Sequence, residues 1–252
     1  MTRILVTNDD GVRSPGLAAL TAALEALGEV TVVAPLRETS AIGHALTLHR
    51  PLRLERLGDR RFALDGTPSD CVNIAVVSVL KGLPQLVMSG INLGLNLGDD
   101  LTYSGTVSAA LEGALLGVPS IAVSAHRSGP EWDFQGAARA AATLAEAVLK
   151  GGLPPRTLLN VNVPAGEPKG LRVTVQGRRN HVTSVEERID PRGRAYFWID
   201  VAQDHWEPDA RSDYQAVRDG FVSVTPLHPD LTAHAALRAI EELSLGAKGE
   251  VR

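Results

Sequence analysis

RILVTNDDGVRSPGLAALTAALEALGEVTVVA, residues 3–34, decides the fold class. Residues 3–7 are a short apolar run with β-branched members, and a polar loop containing glycine follows at 8–16. Residues 17–27 repeat apolar side chains at helical spacing, and 30–34 return to an unbroken apolar run. A sheet wet on one face would show alternation in its strands. Strands that read as continuous hydrophobics, separated by helices, belong to a parallel sheet covered on both faces.

The same alternation runs on. Thr67, Pro68, Ser69 and Asp70 form a helix start, with a capping Thr, Pro at the first helical position and an acid three residues after the cap. They predict a helix over 69–80. QLVMS at 85–89 predicts a strand, 90–105 a long loop and 106–116 a small-residue helix. SIAVS at 120–124, a helix over 136–149 and LLNVNV at 158–163 complete a doubly wound α/β layer over residues 1–165. Two stretches break the pattern. Residues 45–64 read as a β-hairpin with its turn near Leu57-Gly58-Asp59. Residues 171–225 lose helical spacing, carry turn signals at 190–193 (DPRG) and 219–220 (DG), and include the strand-like YFWIDV at 196–201. A terminal helix is predicted over 229–243. Residues 166–252 are thus a β-rich extension with a C-terminal helix, of a kind that often packs on another subunit.

Composition narrows the function. The chain has 252 residues, 21% of them charged, and a formal net charge of −4. It carries no basic stripe or like-charge block, so neither nucleic acid nor an anionic membrane is an expected partner. Its single cysteine, Cys71, lies in an apolar helical pattern and reads as a buried core thiol. No Cys–His cluster exists to hold structural zinc. The N-terminal apolar run is too short for a signal core, and no apolar run approaches the ~20 residues a spanning helix needs. A cytoplasmic protein acting on a small molecule is the expectation.

In open α/β sheets, ligands collect beyond the carboxyl ends of the strands. The polar residues there are Asn8, Asp9 and Asp10 after the first strand, and Arg37, Thr39, Ser40 and His44 after the second. Asn92, Asn96, Asp99 and Asp100 follow the strand at 85–89. Adjacent carboxylates at a partly buried strand end repel each other and lose solvation, a conflict that a hard divalent cation resolves. An Asp in such a loop can equally cap the next helix. The loop at 90–106, GINLGLNLGDDLTYSGT, lets backbone approach a ligand, and Ser104-Gly105-Thr106 opens a helix whose free N–H groups suit a phosphate. Ser104 or Thr106 as a simple helix cap is the competing reading. Asn92 and Asn96 offer amide oxygens or hydrogens, or form turns. His44 is either an acid–base group or a loop hydrogen-bonder. No Walker A sequence, no G-x-G-x-x-G after the first strand and no G-x-S-x-G elbow is present.

Six segments in register resemble the survival protein E (SurE) family: ILVTNDDG at 4–11, VVAP at 32–35 with Ser40 following, GTPSDCV at 66–72, SGIN at 89–92, NLGDD at 96–100 and YSGTVSAALEG at 103–113. LNVNVP at 159–164 extends the match. The resemblance implies a Rossmann-like, mostly parallel doubly wound sheet with a β-hairpin insertion, and a β-rich extension exchanged between subunits of a homodimer or homotetramer. It implies a phosphatase for nucleoside 5′-monophosphates, often of broad range, that uses one divalent cation per subunit, Mg²⁺ or Mn²⁺. The ligands it implies are Asp9, Asp10, Ser40 and Asn92, with Asn96, Ser104, Gly105 and Thr106 on the phosphate. Asp9 and Asp10 would carry the chemistry, either through an activated water or by direct attack. Thr39 stands before Ser40, where some members of that family carry Arg. Two other classes remain open: a nucleotide sensor without turnover, and a nucleoside hydrolase, which would release free ribose.

Overall fold

The computed structural model describes residues 1–127, 129 and 132–243, with the backbone alone given at 180–183 and 200–204. Arg3–Thr7 forms β1, Pro15–Leu24 α1 and Glu29–Pro35 β2. Leu54–Gly58 (β3) and Arg61–Leu64 (β4) make a hairpin, and Pro68–Ile74 (α2) follows. The latter is continued by a wider turn, Ala75–Val79. Leu86–Leu93 is β5, Gly98–Thr102 a 3-10 turn, Gly105–Leu115 α3 and Ser120–Ala125 β6. Gln135–Gly151 (α4) and Leu158–Val163 (β7) close the regular alternation.

One nine-stranded sheet runs in the order β3-β4-β2-β1-β5-β6-β7, then two later strands. β4, β2, β1, β5, β6 and β7 run parallel to one another. The chain leaves β1 toward β2 on one side and returns to β5 on the other. The switch point, where a crevice must open, is therefore between β1 and β5 at their carboxyl ends.

Period-two alternation explains why the strands read as continuously apolar. Ile4 and Val6 of β1 pack with Leu17, Leu20 and Leu24 of α1 and Ala141 and Ala145 of α4. Leu5 points to the other face, among Val33, Val72, Ala75 and Ala109. Cys71 is buried in that second cluster, as expected from its pattern, and burial pushes its thiol well above the ordinary range. Thr67 caps α2 in a reciprocal box: its hydroxyl accepts the Asp70 amide at 3.1 Å, while Asp70 accepts the Thr67 amide at 2.9 Å.

The C-terminal region departs from its expected description. Leu171–Val173 (β8) and Val222–Leu227 (β11) join the main sheet, β11 antiparallel to β7 and parallel to β8. Arg179–Ile189 (β9) and Ala195–Trp206 (β10) form a separate antiparallel ribbon. Asp213–Arg218 is a helix, α5, inside the stretch expected to be extended. Its six residues are too few to show helical spacing in sequence, although Ser212 caps it by accepting the Gln215 amide at 3.2 Å. The hairpin predicted over 45–64 is confined to β3 and β4 and is fused to the sheet through β4 rather than standing off it. The terminal helix is shorter than predicted: a 3-10 turn, His234–Ala236, leads into Leu237–Glu242 (α6), and residues 244–252 lie outside the described ones. Among the described residues no helix is long and apolar enough to cross a membrane.

Candidate active site

A cleft of about 680 Å³ opens at the switch point. β1 delivers Asp9 and Asp10 to it, the loop after β2 delivers Ser40, and the end of β5 delivers Asn92. Asn96 and Ser104, which lie between β5 and α3, also line it. Six of the eight residues singled out from sequence are thereby brought to one cavity.

The other two, Gly105 and Thr106, are buried behind the carboxylates rather than exposed to the cleft. The Thr106 amide donates to Asp9 Oδ2 at 3.0 Å, and its hydroxyl donates to Asp9 Oδ1. The anion at the N-terminus of α3 is thus the Asp9 carboxylate, where free N–H groups and the helix dipole favour negative charge. Thr106, expected on the phosphate, here has its amide and hydroxyl engaged by Asp9. Gly105 has a steric reason: a Cβ there would lie 2.8 Å from Asp9 Cβ and 2.9 Å from Asp9 Oδ2.

The two acids occupy different environments. Burial pushes Asp9 above its ordinary range, opposed by the Thr106 hydroxyl and by backbone amides. Burial, then repulsion from Asp9 and from Glu38, pushes Asp10 up to about 7, with only the Leu93 amide, 3.4 Å away, acting against them. No lysine or arginine among the described residues offsets either shift. The neighbouring oxygens are compatible with a hard cation. Asn92 Nδ2 donates to the Gly94 carbonyl at 2.9 Å, leaving Oδ1 without a hydrogen bond among the described residues. Ser40 is exposed and donates its hydroxyl to Glu38 at 2.8 Å, which leaves its oxygen lone pairs free. Among the described residues no three His, Cys, Asp or Glu side chains cluster as metal ligands. The set gathered here is instead two carboxylates, a hydroxyl and an amide.

The walls are braced by hydrogen bonds. Asn96, 8% exposed, is anchored by its own main chain: its amide donates to Asn162 Oδ1 at 2.8 Å, and its carbonyl accepts from Asn160 and Asn162, each at 2.9 Å. Its Nδ2 donates to Ser124 Oγ at 2.7 Å, so one amide hydrogen and Oδ1 remain for a ligand. Ser104 accepts the Val107 amide at 3.1 Å, which leaves its own hydroxyl proton to donate. Gly90 lets β5 bend toward the site: at φ +133°, a Cβ would lie 2.3 Å from the Val123 carbonyl oxygen. The other wall is the loop after β2, tied to β1 by the Thr39 amide, which donates to the Asp9 carbonyl at 2.8 Å.

Not every polar residue at the strand ends reaches the cleft. Arg37 and Thr39 line a neighbouring groove of about 500 Å³. His44 is engaged elsewhere: its Nε2 is 2.7 Å from Glu112 Oε2, and Glu112 also accepts from Asn73 at 2.9 Å. The His44 bond leads the effects holding Glu112 below its ordinary range. That contact is the one the loop hydrogen-bonder reading expects. Asp99 accepts the Arg179 amide at 3.2 Å, and Arg179 grips Asp100, which does line the cleft, at 2.6 and 2.8 Å. Arg13, Glu38 and Tyr103 line the cleft without having been singled out. Glu38 carried a signal, since it lies two residues before Ser40 on the same loop; Tyr103 carried one in its place beside Ser104.

The family described as Survival protein SurE matches residues 4–183. A relative from Geotalea uraniireducens, named 5′-nucleotidase SurE, is 51% identical over 96% of this chain and 99% of its own. One from Thermus thermophilus, named 5′-nucleotidase SurE 1, is 54% identical over 97% of this chain and 98% of its own. The crystal structure of the Aquifex aeolicus SurE protein superposes with a TM-score of 0.85 at 44% identity, covering 96% of this chain and 99% of that one.

Proposed function

The chain belongs to the survival protein SurE family, and from that premise we propose that it is a divalent-metal-dependent 5′-nucleotidase, hydrolysing nucleoside 5′-monophosphates and a range of other phosphomonoesters. The relatives named 5′-nucleotidase at about half identity support the reaction. The observation that carries the metal requirement is the pair Asp9 and Asp10, two neighbouring carboxylates that burial disfavours as anions and that no lysine or arginine among the described residues offsets.

In this reading Asp9, Asp10, Ser40 and Asn92 hold one Mg²⁺ or Mn²⁺ per subunit. Such an ion, when bound, supplies charge neutralisation at the phosphoryl group and a lowered pKa for water. Asp9 is held in orientation by the Thr106 amide and hydroxyl, bonds that favour its charged form. Asp10, the less enclosed of the two, accepts a proton from the attacking water, or attacks phosphorus itself. Asn96 and the Ser104 hydroxyl, both on the cleft wall, position the phosphate. Trapping an aspartyl-phosphate with a fluoride analogue, or failing to, separates the two routes.

The β9–β10 ribbon supports a homodimeric or homotetrameric assembly. Val185, Ile189, Phe197, Trp198 and Ile199 are each more than half exposed on it, an apolar surface that a second copy would cover.

The test is phosphate release from AMP, GMP and a chromogenic phosphate ester, with Mg²⁺ or Mn²⁺ and with a chelator. Release is expected with the metal and is abolished by the chelator, by Asp9→Asn and by Asp10→Asn. Activity surviving all three excludes this site, and free ribose in place of phosphate marks a nucleoside hydrolase.

A further inference from the structure

Tyr103 is an aromatic side chain with no assigned task. It is 63% exposed and is the one aromatic among the described residues lining the cleft. No hydrogen bond or ring contact engages its phenol among the described residues, whereas Trp206 stacks on Tyr214 with centroids 4.2 Å apart. Its main chain is fixed on both sides. The Tyr103 amide donates to the Asp100 carbonyl, and its carbonyl accepts the Gly43 amide, each at 3.0 Å. The residue joins the 3-10 turn to Ser104, the cap of α3. Only Ser104 and Gly105 separate it from Thr106, so the two Cα atoms are at most about 11 Å apart. Thr106 holds Asp9. An exposed ring on a fixed backbone, lining the same cleft as the paired acids, is a preorganised surface for a flat group.

We propose that Tyr103 is the platform on which the substrate's nucleobase stacks while its phosphate lies at Asp9 and Asp10. The assignment rests on the nucleotidase reading. Stacking is tolerant of base identity because every base has a π-face. Tyr103 therefore confers preference for nucleotides over base-free phosphoesters, with purines favoured over pyrimidines by their larger overlap.

The experiment compares AMP with ribose 5-phosphate, which keeps the sugar and phosphate and lacks the base, as substrates of the full chain and its Tyr103→Ala, Tyr103→Phe and Tyr103→Trp variants. Stacking acts equally on ground and transition states, so Tyr103→Ala is expected to raise KM for AMP about tenfold with kcat unchanged. Ribose 5-phosphate kinetics should stay within about twofold of wild type in the same variant, and the Phe and Trp variants should retain AMP kinetics. An equal loss on both substrates in Tyr103→Ala would make the residue a shaper of the loop and overturn the proposal. Unchanged AMP kinetics in that variant would overturn it as well. Failure of the wild-type chain to hydrolyse AMP would instead remove the nucleotidase reading and this inference with it.

Discussion

The Thr106 backbone amide donates to Asp9 Oδ2 at 3.0 Å, and the hydroxyl of the same residue donates to Asp9 Oδ1. Both oxygens of a 4%-exposed carboxylate are therefore oriented by the first turn of α3. The helix terminus stabilises the acid that belongs to the protein and holds it toward the cleft.

Thr106→Val keeps the shape and the amide but removes the hydroxyl donor. Partners that orient a ligating carboxylate are worth about 10–100-fold in metal affinity or activity. A loss of that size in Mn²⁺ affinity is expected by calorimetric titration, with the thermal midpoint little changed. Wild-type affinity in the variant would mean that Asp9 needs no such orientation.

Gly105→Ala tests the same contact by crowding. The added methyl would meet Asp9 Cβ at 2.8 Å, so one of the two must shift. Overpacking of this kind costs about 1–3 kcal/mol, and here the displaced group is the proposed ligand. Phosphate release should collapse while circular dichroism still reports a folded protein.

Stability without metal should depend on pH through Asp10. Its native pKa is pushed up to about 7 from an ordinary value of 3.8. The folded state then holds the proton more tightly than the unfolded state. Asp10's contribution is complete below the ordinary value and is lost as pH rises through about 7. In chelator, Asp10→Asn should thus gain thermal stability relative to wild type between about pH 4 and pH 8. Mn²⁺ affinity should rise across the same window, because cation and proton compete for one carboxylate. A pH-independent gap between variant and wild type would contradict this.

His44→Ala distinguishes tether from catalyst. The ring bonds Glu112, which is 10% exposed, and anchors the loop carrying Ser40. Loss of a hydrogen bond to a charged, mostly buried group costs about 1.5–3 kcal/mol. The variant should melt earlier yet keep the wild-type pH profile of kcat. A missing limb in that profile would restore His44 as an acid–base group.

The fold was legible wherever a strand is buried on both faces. RILVT at 3–7 and LLNVNV at 158–163 coincide with β1 and β7, because short runs rich in aliphatic residues, bounded by polar or turn-forming ones, have sharp ends. Tertiary roles were less visible. Asn160 and Asn162 look like interruptions of an apolar strand, yet they hold the Asn96 carbonyl. VSVTPL at 222–227 gives no sign that it returns antiparallel beside β7, since pairing across such a separation is decided by packing. At the site, residue types and loop positions picked out eight residues, six of which line one cavity, whereas the burial of Gly105 and Thr106 was not legible in the sequence. Thr106 opens a helix either way, and only the close approach of Asp9 at Gly105 decides which anion its donors meet.

The most direct measurement is the anomalous difference map of a crystal grown with Mn²⁺ and recorded at the manganese edge. A single peak within coordination distance of the carboxylate oxygens of Asp9 and Asp10 is predicted. A map without density there, with Asp10 turned to solvent and Asp9 bonded only to Thr106, would contradict the metal site on which the proposed chemistry depends.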